Sequence, residues 1–120
     1  MKNKYALYLI LLALSYSCSY VSEEDLIDAT PLPEVVTYQA NVKSIIDNNC
    51  IACHNNPPIN GAPISLTTFN DVKNAIENNG LIGRISSTDL AFSMPFGGPR
   101  LPQNLIDIVV KWEQDGLLEN

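Results

Sequence analysis

The chain has 120 residues, 46% of them hydrophobic and 17% charged, which suits one small globular domain. Thirteen Asp and Glu residues against seven Lys and Arg residues give a formal net charge of −6 at pH 7. Because binding to nucleic acid needs clustered Lys and Arg to neutralise phosphates, this balance argues against nucleic acid as a partner.

Residues 1–17 have the layout of a secretory signal peptide. Lys2 and Lys4 form a charged start, and an apolar stretch from Tyr5 to Leu14 follows. Ten apolar residues are too few to cross a bilayer as a helix. We therefore expect export of the protein.

The segment Leu14-Ser15-Tyr16-Ser17-Cys18 resembles a bacterial lipobox, in which the cysteine becomes the lipidated first residue of the mature protein. It departs from the common pattern because Ser15 stands where leucine is usual. The alternative is an unpaired Cys18 left after ordinary cleavage, but a lone thiol is a liability in an oxidising compartment. The lipidated form would anchor the protein on the periplasmic or cell-surface side of a bacterial membrane.

Residues 18–36 are acidic and contain Pro31 and Pro33, which predicts a semi-rigid tether. Removing residues 1–17 leaves five basic and thirteen acidic residues, a net charge of about −8. Such a charge favours redox partner proteins that carry a basic docking patch. We expect the protein to be a monomer.

Cys50-Ile51-Ala52-Cys53-His54 has the C-x-x-C-H pattern of a c-type haem attachment site. Two cysteines three residues apart lie on the same side of a helical turn, so each thiol can form a thioether with one haem vinyl group. His54 follows directly and is the expected proximal ligand of the iron. The predicted cofactor is therefore covalently bound haem c.

Three other interpretations of this pattern fit the sequence less well. A structural zinc site needs four protein ligands, and the chain offers only these two cysteines, one histidine and the distant Cys18. A thioredoxin-like redox pair needs a βαβ pattern nearby, which is missing from the sequence. A simple disulfide would leave the single histidine beside it unexplained.

Apolar residues recur at helical spacing over residues 37–118, which predicts an all-α domain of three to five short helices. Thr37 and Thr68 suit the N-caps of the first two helices, and Gly80 suits the end of the second. A short helix or turn is expected at residues 81–85, and loops at 55–63 and 86–100. The expected buried faces are Tyr38, Val42, Ile45 and Ile46 in the first helix, and Phe69, Val72 and Ile76 in the second.

The last helix has the clearest boundaries. Pro102 suits its first position, and Gly116 suits the residue past its end. Its expected apolar stripe is Leu105, Ile108, Val109 and Trp112, and the apolar residues Ile106 and Val110 predict that the burial is broad. We predict that Trp112 belongs to the core, against the first helix or the haem edge.

A helix leading into the C-x-x-C-H motif, a later Met94-Pro95 and a C-terminal helix with Trp112 resemble class I cytochrome c. More narrowly, residues 37–118 are similar to small bacterial single-haem c-type domains, which are often found on lipoproteins. The resemblance implies a cytochrome c-like fold in which the N- and C-terminal helices cross and clasp the haem. It also implies electron transfer as the function, without enzymatic activity.

Met94 is the expected distal ligand of the iron. After removal of the signal it is the only methionine, and it lies in a loop rich in Pro and Gly. Pro95 biases it toward an extended conformation, from which a thioether can reach across the haem. Methionine opposite histidine raises the reduction potential. The alternative is that Met94 fills a gap in the core.

A ligating histidine usually donates its other N–H group to a carbonyl or carboxylate. Ala62-Pro63-Ile64-Ser65-Leu66 resembles the Gly-Pro-x-Leu segment of cytochromes c, whose proline carbonyl has this role. Pro63 is therefore the expected acceptor, with Pro57 and Pro58 as alternatives.

Arg84 and Arg100 are candidates for binding the haem propionates, because a guanidinium group matches a carboxylate. Most charged residues are simply exposed, so each of the two is otherwise a surface charge.

Two other classes of function are compatible with the haem motif. A haem enzyme, such as a peroxidase or a domain of a larger oxidoreductase, needs an acid–base group beside an open iron, and the chain has no second histidine. A gas or redox sensor needs only a displaceable Met94.

Overall fold

The computed structural model describes residues 31–120, and over that range the chain forms helices and no strand. The all-α prediction is thus confirmed for this part of the chain. None of the described helices is long and apolar enough to cross a membrane. The predicted signal, Cys18 and the tether as far as residue 30 lie outside the described residues.

Four helices follow one another along residues 31–120. Helix α1 begins as a π-helical turn at Tyr38–Val42 and continues as an α-helix at Lys43–Asn49; α2 is Phe69–Asn79, α3 is Leu81–Ser86 and α4 is Gln103–Gln114. Helix α4 packs against the start of α1 and against α3, and α2 packs against α3. The first and last helices are therefore in contact.

Helix α1 starts and ends where the sequence predicts. The Thr37 side chain accepts a hydrogen bond from the Ala40 N–H at 3.4 Å, and the helix stops at Asn49. All four residues of its expected apolar face are buried. Its opening turn is wider than predicted, because the Val42 N–H reaches the Thr37 carbonyl at 3.3 Å.

Helix α2 begins with a capping box. Thr68 and Asp71 exchange hydrogen bonds between side chain and backbone, and Thr68 is the N-cap that the sequence predicts. Partial desolvation raises the pKa of Asp71, but hydrogen bonds from Thr68, Thr67 and Ser65 outweigh it and hold that pKa below its usual value. At the other end Gly80 has a φ of 67°, in the left-handed region that favours glycine.

Helix α4 differs slightly from the prediction. Pro102 precedes the helix and does not form its first residue, because its ψ of 143° is extended. The most buried face consists of Ile106, Val109 and Trp112, whereas Leu105 and Ile108 are only partly buried. The face is displaced because α4 packs against two neighbouring helices.

Three aromatic rings join the helices in the core. Tyr38 lies 5.5 Å from Phe69 and 5.7 Å from Trp112, between ring centroids, and Phe69 lies 6.1 Å from Trp112. Trp112 is fully buried, and its Nε1 donates to the Leu118 carbonyl at 2.8 Å. The prediction that Trp112 packs against the first helix is confirmed.

The two ends of the described chain are tied together. The Val36 N–H donates to Asp115 Oδ2 at 2.8 Å, and the Tyr38 and Gln39 N–H groups donate to the Leu118 and Glu119 carbonyls. Val36 is fully buried, although the sequence places it at the end of the tether. Within residues 31–120, the packed part therefore starts at residue 36 and reaches residue 119.

Asp115 should make the stability of the fold depend on pH. Hydrogen bonds from Lys111 and from the Val36 N–H lower the pKa of Asp115. A carboxyl with a lowered folded-state pKa stabilises the fold above its unfolded pKa of about 3.9, and this contribution disappears as the pH falls through the folded-state pKa. We expect Asp115→Asn to unfold at lower urea concentration than the wild type at pH 7, and the difference to shrink below about pH 4.

The control is Glu113→Gln, which changes an exposed carboxyl in the same turn. Its urea midpoint should follow that of the wild type at every pH. A deficit of Asp115→Asn that is equally large at pH 7 and pH 3 would contradict the ionic origin of the effect.

Candidate functional site

A cleft of about 860 Å³ lies between the end of α1, the loop that follows it, helices α2 and α3, and the loop before α4. This volume falls within the range of roughly 300–1,000 Å³ that is usual for ligand and cofactor sites. Its walls include five residues of the buried core: Leu66, Ala75, Leu81, Ile85 and Leu101. Six of the seven predicted cofactor residues line it: Cys50, Cys53, His54, Pro63, Arg84 and Met94.

The C-x-x-C-H motif forms a turn directly after α1. The Cys50 N–H donates to the Ile46 carbonyl at 2.8 Å, and the Cys53 and His54 N–H groups both bond to the Cys50 carbonyl, at 3.2 and 3.0 Å. This turn brings both cysteines and the histidine to the same cleft. Each cysteine is a free thiol, and burial raises the pKa of Cys50 to about 11.

The His54 ring is held by the chain that returns toward α2. Its Nδ1 lies 2.8 Å from the Ile64 carbonyl oxygen, and the His54 carbonyl accepts from the Leu66 N–H, also at 2.8 Å. A carbonyl can only accept, so Nδ1 donates in this bond, and Nε2 is the ring nitrogen that this bond leaves free. That nitrogen is the one left for a metal.

The prediction that the Pro63 carbonyl accepts this bond is wrong, because the acceptor belongs to the next residue. Pro63 itself lines the cleft, whereas Pro57 and Pro58 do not. The Ile59 N–H bonds to the Cys53 carbonyl at 2.9 Å, and Asn60 and Gly61 then adopt φ values of 54° and 78°. The path of this left-handed turn determines which carbonyl contacts the His54 ring. The partial Gly-Pro-x-Leu match does not predict that carbonyl.

Met94 reaches the cleft from a loop with its own hydrogen bonds. Its N–H donates to the Arg84 carbonyl at 3.0 Å, and the neighbouring Ser93 N–H donates to the Asp89 carbonyl at 2.7 Å. Ser93 is buried, and Met94 is half-buried against the core. Met94 thus lines the same cleft as His54 while also touching the core, as the gap-filling alternative would have it.

The two candidate arginines occupy different places. Arg84 lines the cleft, and its Nη1 donates to the Phe92 carbonyl at 3.3 Å. Arg100 does not line the cleft; its guanidinium donates to the Ser86 carbonyl and to Gln103 Oε1. The geometry therefore keeps Arg84 as a cleft residue and gives Arg100 a role in joining the end of α3 to the start of α4.

Sequence reasoning missed three amide side chains that line the cleft. They are Asn49, Asn60 and Asn79. The Asn60 Nδ2 lies 3.7 Å from Cys53 Sγ. Two of the three precede a glycine in a turn, and that was the only signal available, because Asn-Gly pairs mark turns without indicating what the side chain contacts.

The donor set does not suit a structural zinc site in the part of the chain that the structure covers. Within residues 31–120, no three side chains of His, Cys, Asp or Glu come close enough together to hold a metal ion. Structural zinc takes four such ligands.

No protein-family model, curated protein or solved structure matches the chain. Support for a function therefore comes from the residues of the cleft and their geometry.

Gly61 should be needed for its backbone conformation and not for space. Its φ is 78°, and an added Cβ would meet no atom within 4 Å. Because L-residues lose roughly 1–2 kcal/mol in the left-handed region, we expect Gly61→Ala to lower the free energy of unfolding by about 1 kcal/mol in urea titrations. The matched control is Gly83→Ala in helix α3, which has equal space and no positive φ.

Alanine is favoured over glycine inside helices, so Gly83→Ala should raise the stability by about 0.5 kcal/mol or leave it unchanged. Equal effects of the two substitutions on the free energy of unfolding would contradict this prediction, because the turn at Gly61 would then tolerate a side chain without strain.

Proposed function

We propose that this chain is an electron carrier that holds one haem c, attached through Cys50 and Cys53, with His54 and Met94 as the residues that would ligate its iron. The observation that carries the proposal is that the C-x-x-C-H turn and Met94, which lie far apart in the sequence, line one cleft. The proposed domain is a small cytochrome c-like unit in which α1 and α4 make the contact between the two ends of the chain.

The residues of the cleft fit a haem by their chemistry. Two thiols are available for thioether bonds, the His54 ring keeps Nε2 free, and Met94 offers the soft sulfur that such iron sites use. The remaining wall is largely aliphatic, which suits the flat apolar faces of a porphyrin. Arg84 is the one permanently cationic side chain among the lining residues, and a propionate is a matching anion.

When bound, the haem iron supplies a one-electron redox couple. The chain's part is to set its surroundings. The Ile64 carbonyl fixes the tautomer and orientation of the His54 ring, and Met94 as second ligand raises the reduction potential relative to harder ligands. The buried aliphatic wall lowers the local dielectric constant and limits access of water.

The composition of the cleft favours an electron carrier over a peroxidase-like enzyme. Apart from the two cysteines, His54 and Arg84 are the ionisable groups among its described lining residues. With His54 used as a ligand, no carboxylate or second imidazole is present there to move protons.

The surface charge supports a partner with a basic docking patch. The three lysines of the described range form ion pairs one helical turn away, Lys43 with Asp47, Lys73 with Glu77 and Lys111 with Asp115. Within residues 31–120 the other acidic side chains have no such ion pair: Glu34, Asp71, Asp89, Asp107, Glu113 and Glu119. The domain therefore presents net negative charge that steers a basic partner toward it.

We also propose that the carrier is exported and anchored by a lipid at Cys18, with the tether holding the domain off the membrane. This part of the proposal rests on the sequence pattern of residues 1–36.

Iron ligation by Met94 can be tested with absorption spectra of protein matured in a cytochrome c assembly system. We expect the oxidised wild type to show a weak band at the red end of the visible spectrum, typical of sulfur bound to iron. Met94→Ala should lose this band, because no other methionine exists in the mature chain. Leu90→Ala is the matched control, since Leu90 lies in the same loop, is 77% exposed and does not line the cleft.

A high-spin wild-type spectrum that Met94→Ala leaves unchanged would contradict the proposed ligation and favour catalysis or sensing at an open iron. Absence of a Soret band after maturation would contradict haem binding itself.

Haem should also be needed for folding, because five core residues form part of the cleft wall and a domain of this size buries limited apolar surface by itself. We expect the double variant Cys50→Ala, Cys53→Ala to be poorly helical by far-UV circular dichroism and to melt without a cooperative transition. The control is the wild-type chain made without haem attachment, which should behave in the same way. A cooperative melt with native helicity in both samples would show that the polypeptide folds alone.

A further inference from the structure

Arg84 joins helix α3 to the Met94 loop at three points. Its carbonyl accepts from the Met94 N–H at 3.0 Å, and its Nη1 donates to the Phe92 carbonyl at 3.3 Å. Its guanidinium carbon also lies 4.3 Å from the centroid of the Phe92 ring, within the distance of a cation–π contact. The residues on both sides of Ser93 are thus held by one residue of α3.

Helix α3 is packed into the core and holds these contacts in place. Leu81 and Ile85, on either side of Arg84, are 7% and 3% exposed, and the helix packs against α2 and α4. No carboxylate in the described part of the chain forms an ion pair with Arg84. The polar and aromatic contacts of its side chain there are made to Phe92.

We propose that Arg84 is a positioning residue for Met94: it clamps residues 92–94 onto α3 so that the Met94 sulfur stays in the cleft. This inference rests on the proposed function, since it takes Met94 as the iron ligand. Loosening the clamp raises the fraction of molecules in which the sulfur has left the iron. A competing ligand then binds more tightly, in proportion to that fraction.

A clamp and a simple charge partner of a haem propionate differ in which substitution of Arg84 preserves them. A lysine at residue 84 keeps the positive charge but lacks the planar face that stacks on Phe92 and the fixed fork of donors. Arg84→Lys should therefore preserve an ion pair with a propionate but not the clamp.

The test titrates imidazole, as the competing ligand, into the oxidised, haem-attached full chain and follows the absorption spectrum. We expect the Kd for imidazole to fall about tenfold in both Arg84→Leu and Arg84→Lys, equivalent to ~1.4 kcal/mol. Lys73→Gln is the control for the lost charge, because Lys73 lies on α2 outside the cleft, and its Kd should equal that of the wild type. Amide hydrogen exchange at Met94 should quicken by a similar factor in the Arg84 variants.

An unchanged Kd for imidazole in Arg84→Leu overturns the proposal. A Kd that is lowered in Arg84→Leu but equal to that of the wild type in Arg84→Lys also overturns it. If the Arg84 variants do not attach haem, Phe92→Leu tests the same clamp, because it removes the stacked ring and keeps the carbonyl. A Kd several-fold below that of the wild type supports the clamp, and an unchanged one overturns it. A wild type without the sulfur–iron band instead contradicts the proposed function.

Discussion

The bond between His54 Nδ1 and the Ile64 carbonyl, together with the Leu66 N–H bond to the His54 carbonyl, connects two parts of the molecule. On one side lies the C-x-x-C-H turn at the end of α1, and on the other lies the segment that leads into the capping box of α2. The left-handed turn at Asn60 and Gly61 lets the chain reverse between them. Without this pairing the imidazole would lose its hydrogen-bond partner, and the loop of residues 55–63 would keep one backbone hydrogen bond to the motif, from the Ile59 N–H to the Cys53 carbonyl.

The cleft and the core share residues, so the proposed cofactor and the fold depend on each other. Leu66, Leu81 and Leu101 are counted among the buried core and also face the cleft. Elsewhere in the core, the rings of Tyr38 and Trp112 connect α1 to α4. A domain of this size buries limited apolar surface by itself, and a bound porphyrin would add a large apolar partner at the cleft wall.

Local features of the fold were predicted from the sequence because their interactions span only a few residues. The Thr68 cap and the Gly80 stop each depend on hydrogen bonds or φ angles within one helical turn, and both were found where expected. Small errors arose where packing from a distance matters. Ile106, and not Leu105, occupies the fully buried position of α4, because that helix contacts two others whose placement its own periodicity does not contain.

The features of the site also divide into those set by local sequence and those set by tertiary packing. The sequence by itself determined the spacing of Cys50, Cys53 and His54, because this spacing is set within one turn of chain after α1. Only the tertiary structure decided that Ile64 holds the imidazole and that Arg84, and not Arg100, lines the cleft. Those pairings depend on the path of two loops and on how α3 docks against its neighbours. Local sequence does not determine which residues from distant parts of the chain come into contact, because only tertiary packing brings those groups together.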